Sequence, residues 1–196
     1  MENSDTTVEA SRELRSRIRS YLLDDGLQCS QCVVVMLRER LGPRVRDLEA
    51  AAIPFGRGMA GTGGTCGALS GALLALGAMH ETDPAQPRPR RPVSMELIVE
   101  QPPLNDWLDV QPEQEAEPPV FTPGRELIAR VAELTQGPDG PINCAEISGV
   151  DWSAPTREQL SSFYSPDGEM ARCIELIGVM VETVDGLLNE SRSTTT

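Results

Sequence analysis

The sequence predicts an all-α protein: a compact single-domain helical bundle around a central apolar helix, with a Pro-rich irregular insertion. Three observations carry this expectation. Apolar residues recur at three- and four-residue spacing along several stretches. Gly- and Pro-containing stops, such as Gly42-Pro43 and the cluster Gly137–Pro141, punctuate those stretches. No stretch alternates apolar with polar residues in the way a half-buried strand requires. At roughly 150 residues per domain, a 196-residue chain makes one domain spanning 1–196. That is enough chain to build a core without disulfide staples.

Residues 8–23 read as an amphipathic helix, with Val8, Leu14, Ile18 and Leu22 on its apolar side and Arg12, Arg15 and Arg19 outside. Asp24-Asp25-Gly26 ends it as a solvated stop. A second helix is expected from Ser30 to Leu41, its core stripe made by Val33, Met36, Leu37 and Leu41. A short helix over Arg46–Ala52 closes before Pro54. The Gly-rich loop 56–64 leads into an apolar helix, Thr65–Met79, which is expected to be the central one. Gly67, Gly71 and Ala75 lie four apart on it, a small-residue stripe that lets another backbone approach closely, within the chain or across a homodimer.

The composition then shifts. Residues 84–123 hold ten of the sixteen Pro, and the segment is acidic after Arg88-Pro89-Arg90-Arg91. Residues 81–122 are therefore expected to be a surface insertion, partly polyproline, with a helical turn over Ser94–Glu100 and Trp107 as an anchor. Thr122-Pro123 reads as an N-cap and first position of a helix over 123–136, with Leu127, Ile128, Val131 and Leu134 inward. Asn143 is placed to cap a short helix that stops at Gly149, and Ser153 or Thr156 to cap another. The last helix, 168–189, carries Met170, Cys173, Ile174, Ile177, Val181, Val184 and Leu188, and 190–196 is expected to fray.

Composition removes several chemistries. The chain has 17 Arg and no Lys, which excludes a Schiff-base enzyme, a pyridoxal-phosphate anchor and a Walker-type phosphate loop. One His, His80, leaves no His pair for a catalytic zinc; beside the insertion it reads as a helix-end cation. A net charge of −13 and 4% aromatic residues argue against a nucleic-acid partner. The N-terminal stretch lacks a secretory leader's apolar run. The longest apolar run, Ala68–Met79, is about 12 residues where a membrane span needs about 20. A cytoplasmic location is expected, where Cys residues serve as metal ligands, redox groups or buried thiols rather than a disulfide framework.

The Cys stand at 29, 32, 66, 144 and 173. Cys29-Ser30-Gln31-Cys32 is a C-x-x-C, but Val33 rules out haem attachment, no βαβ pattern surrounds it and no second C-x-x-C completes a metal knuckle. Cys32 alternatively faces its helix core as a small hydrophobe. Cys66 follows five Gly in residues 56–65 and, like Cys29 and Cys144, falls at an expected helix start. Free N–H groups and the helix dipole there lower a thiol pKa, which suits a redox thiol or a thiolate ligand; buried inert thiols are the plainer alternative. Gly56-Arg57-Gly58-Met59-Ala60-Gly61 spells G-x-G-x-x-G, but it follows a helix and Pro54 rather than a strand, so a dinucleotide site is not expected.

Cys66-Gly67-Ala68-Leu69-Ser70-Gly71 is a C-G-A-x-x-G, flanked upstream by Cys29-Ser30-Gln31 and downstream by Asn143-Cys144-Ala145-Glu146 and Cys173. Over about residues 10–80 and 123–190 the chain resembles the C-GCAxxG-C-C family of redox-active proteins, named for four characteristic Cys around that motif. The resemblance places the family positions on Cys29, Cys66, Cys144 and Cys173; Cys32 and the 81–122 insertion are extra. It implies a small helical protein in which four Cys converge. The first functional expectation is an electron-transfer module in which these four ligate an iron–sulfur cluster, most simply [2Fe–2S], and exchange electrons with a redox partner protein. The second is a metal-free thiol–disulfide protein with Cys66 as the reactive thiol. The third is a structural zinc or interaction module whose Pro-rich insertion recruits a partner.

Overall fold

The computed structural model describes residues 3–42, 45–80, 120–137, 140–165 and 167–193. Its helices are α1 (Asn3–Leu23), α2 (Cys29–Met36), α3 (Arg38–Leu41), α4 (Val45–Ala52), α5 (Gly67–His80), α6 (Phe121–Thr135), α7 (Cys144–Ser148), α8 (Arg157–Phe163) and α9 (Met170–Ser193), with a 3₁₀ turn at Ile53–Phe55. Among the described residues no strand forms, and the one isolated bridge pairs Thr65 with Asn143. The all-α expectation is therefore met. Most of the expected insertion, with Ser94–Glu100 and Trp107, lies outside the described residues.

The core is built where α2, α5 and α9 meet. Cys32, Val33 and Val34 of α2, Ala72, Ala75 and Leu76 of α5, and Ile177, Met180 and Val184 of α9 are all fully buried. Val33–Val35 have strand propensity, but all three are buried, and packing outweighs so weak a preference. The stretch expected as one helix over 30–41 breaks at Leu37 (φ −88°, ψ 12°), where α2 gives way to α3. The bonds Leu37 N–H to Val33 O (3.1 Å) and Leu41 N–H to Leu37 O (3.0 Å) carry the ladder across the break, so the axis bends while Leu37 and Leu41 both stay buried.

The small-residue stripe of α5 is spent within the chain. A Cβ on Gly71 would stand 2.5 Å from Ser30 O and 2.9 Å from Ser30 Cα; one on Gly67 would stand 2.8 Å from Cys29 Sγ. The first turn of α2 thus lies directly against the α5 backbone. The buried Ser30 hydroxyl donates to Ala52 O at 2.8 Å, tying the end of α4 to the same crossing.

Several expectations are corrected. Helix α1 starts at Asn3 rather than 8, and the side chain of Val8 is outside the described set. Arg15 does not point away: it is half-buried and grips Glu175 of α9 with two bonds of 2.5 Å. Helix α6 begins at Phe121 with Val120 as N-cap, so Thr122 does not cap it. Pro123 is tolerated because the first-turn N–H groups have no helical partner to lose. Gly124, Leu127, Val131 and Ala132 make its buried stripe, whereas Ile128 and Leu134 are exposed. Helix α9 continues to Ser193, past the expected fraying at 190; the tail 194–196 and the Leu188 side chain are not described.

Gly71→Ala is expected to destabilise the protein by about 1–3 kcal/mol, because backbone rather than a flexible side chain opposes the new methyl. Gly77, on the same helix, has nothing within 4 Å of its would-be Cβ. Gly77→Ala should stabilise by about 0.5–1 kcal/mol. Denaturant melts of both variants compare the two directly, and equal effects would contradict the close crossing.

Candidate four-cysteine site

Cys29 is the first residue of α2, Cys66 immediately precedes α5, Cys144 is the first residue of α7, and Cys173 lies in the first turn of α9. Two local devices bring these segments together. Gly67 lets the Cys29 sulfur lie against the backbone next to Cys66. A short antiparallel clip joins the Cys66 and Cys144 segments: Cys66 N–H donates to Ile142 O (2.8 Å), Cys144 N–H to Gly64 O (2.6 Å) and Ala145 N–H to Gly63 O (2.9 Å). All five Cys are free thiols. Cys66 and Cys144 are buried, and Cys29 and Cys173 are partly accessible.

The three placements at helix N-termini agree with the sequence, but the expected lowering of their pKa does not follow for Cys66 and Cys144. Burial, reinforced by Cys29, pushes Cys66 up to about 11, against weaker help from the Leu69 and Ala68 N–H groups. Burial, then Cys29 and Cys66, push Cys144 up to about 12, although the Ser148 hydroxyl and Trp152 N–H pull the other way. Burial raises Cys173 too, with Cys29, Cys66, Cys144 and Glu169 adding to it. The reason is visible at α7: its leading N–H groups, on Cys144 and Ala145, are already committed to Gly64 and Gly63 carbonyls and are not free to solvate a thiolate. Cys32 is fully buried, and burial followed by Cys29 lifts it to about 12. It behaves as the core hydrophobe the sequence allowed.

Cys29, Cys144 and Cys173 line a cavity of about 160 Å³ whose other walls include Leu27, Trp152, Phe163 and Met170. Phe163 meets Trp152 edge-on at 5.2 Å and Tyr164 at 4.9 Å. Ser148 orients the indole by accepting its N–H at 3.0 Å while donating to Cys144 O at 2.6 Å. Arg57, also on the cavity wall, lies 5.2 Å over the Trp152 ring. These residues escaped the sequence reading. The available signal was that three of the chain's seven aromatic residues fall within 152–164.

The loop carrying Arg57 is a left-handed turn. Arg57, Gly58, Met59, Ala60 and Gly61 take φ of 52°, 71°, 55°, 56° and 76°. For the three residues with a Cβ this costs roughly 1–2 kcal/mol each. The segment before it is α4 and the 3₁₀ turn, so the G-x-G-x-x-G lacks the strand a dinucleotide fingerprint requires.

The donor set has the chemistry of a thiolate-ligated centre. Among the described residues, no three His, Cys, Asp or Glu side chains gather closely enough to grip one metal ion. That bears on a single zinc; a two-iron cluster instead takes two ligands at each iron. Cys29, Cys66, Cys144 and Cys173 are mutually coupled electrostatically, so the four share one region of the fold.

A family profile described as "Putative redox-active protein (C_GCAxxG_C_C)" matches residues 27–187, and the chain belongs to that family. No curated protein and no solved structure matches it. Among the described residues no helix is long and apolar enough to cross a membrane.

In metal-free, reduced protein the raised thiol pKa values set a pH dependence. The folded state holds these protons more tightly than the unfolded chain, whose thiols titrate near 9.0. Stability should be complete below pH 9 and fall as pH rises toward 11–12. Urea midpoints across this range measure it; a rise above pH 9 would be the wrong sign.

Proposed function

We propose that this protein is an electron-transfer module in which Cys29, Cys66, Cys144 and Cys173 together ligate an iron–sulfur cluster, [2Fe–2S]. The observation that carries the proposal is the mutual disfavouring of charge among thiols delivered by four separate segments. Each further deprotonation is harder than the last, and a bound cationic centre reverses that order. Bound there, such a cluster supplies one-electron redox chemistry.

The chain's own groups suit that role. The Ala68 and Leu69 N–H groups face the Cys66 sulfur, so a thiolate held there finds donors already in place. The metal-free thiol–disulfide alternative is less well supported, because a reactive Cys66 needs a lowered pKa and burial raises it. The electron would come from, or go to, a separate redox partner protein.

Protein purified without oxygen should show a visible chromophore with iron and acid-labile sulfide near two per chain. Cys66→Ser should remove both, whereas Cys32→Ser should keep them, since Cys32 packs in the core. A colourless protein losing two or four thiols on mild oxidation would replace the cluster with disulfide chemistry. Equal loss from both variants would overturn the choice of ligands.

A further inference from the structure

We infer that Cys29 and Cys32 close into a reversible disulfide in the cluster-free protein, which takes Cys29 out of the ligand set and makes loading wait on a thiol reductant. The consequence for loading rests on the four-sulfur reading of the site; the bond itself does not.

Position comes first. Cys29 and Cys32 are the first and fourth residues of α2. Cys32 N–H donates to Gln28 O at 2.9 Å, so this turn is regular helix. Regular helix sets the two Cα atoms about 5 Å apart on one face, inside the range of about 4.4–6.8 Å that a disulfide spans. Both are free thiols. Rigidity comes second. The two residues between them are tied down. Ser30 donates to Ala52 O at 2.8 Å and lies against Gly71, and the Gln31 side chain accepts from Gln28 N–H at 3.0 Å. The turn therefore keeps its register, and closing the bond needs only side-chain rotation. Access comes third. Cys29 is partly exposed, whereas Cys32 is fully buried. One thiol is open to an external oxidant and the other only to its neighbour, the division between an attacking and a resolving thiol.

The oxidant is a small disulfide such as oxidised glutathione. The Cys29 thiolate attacks one of its sulfurs, a mixed disulfide forms and one small thiol leaves. The Cys32 sulfur then attacks the Cys29 sulfur and displaces the second small thiol. Two electrons and the two protein protons end on the two small thiols. The ring so closed is short and restrains the unfolded chain little, so a dithiol reductant reopens it.

The test uses the full chain, stripped of iron by a chelator, reduced, and then treated with oxidised glutathione. Trypsin cuts after Arg19 and Arg38, so the peptide 20–38 holds Cys29 and Cys32 and none of the other Cys. Wild type should yield that peptide lighter by two hydrogens and closed to alkylation. It should also take up roughly tenfold less iron than the reduced protein until dithiothreitol is added. Cys32→Ala should stop with glutathione on Cys29, and Cys29→Ser should leave Cys32 unmodified. Peptides cross-linked from Cys29 to Cys66, Cys144 or Cys173, glutathione retained on Cys29 in wild type, or full iron uptake by the closed form overturns the inference. Iron and sulfide in the protein as first purified without oxygen judge the cluster separately. A closed 20–38 peptide from a chain that never holds iron would remove the cluster, and its loading with it, and leave the disulfide standing.

Discussion

The close crossing of α2 and α5 is the constraint on which the rest of the molecule depends. It is possible only because Gly67 and Gly71 present no side chain to the first turn of α2, so that Ser30 and Cys29 reach the α5 backbone. From this one contact follow the buried Val33–Val35, the hydroxyl tie from Ser30 to Ala52, and the position of the Cys29 sulfur beside Cys66. The C-G-A-x-x-G motif is thus as much a packing device as a chemical one: its Cys supplies a sulfur and its two glycines admit the helix that supplies another.

The same compactness sets the electrostatics. Helix N-termini ordinarily stabilise thiolates, yet here burial dominates and the pKa values rise. The N–H groups that open α7 are used to hold the chain together through the Gly63–Gly64 clip. Such a site keeps its thiols protonated, whereas free reactive thiols need an exposed and electropositive setting.

Around the sulfurs the chain adds a second layer that its family motif does not describe. Ser148 joins the Cys144 carbonyl to the Trp152 indole, Phe163 and Tyr164 extend the aromatic wall, and a left-handed turn sets Arg57 above it.

The sequence by itself determined the helical class, because the three- and four-residue spacing of apolar residues and the Gly and Pro stops are local signals. The family resemblance pointed to Cys29, Cys66, Cys144 and Cys173, but left Cys32 open, and its burial in the tertiary structure decided that it is a core residue. Helix ends were less legible: α1 and α9 run further than their apolar stripes, and α6 starts before Thr122, because ends are decided by packing and capping partners elsewhere in the chain. Only the tertiary structure decided the inward turn of Arg15 to Glu175, the raised thiol pKa values and the Arg57–Trp152 contact. Each is a relation between residues 95 or more positions apart or a consequence of burial, and neither long-range proximity nor the loss of water around a sulfur is written in local spacing.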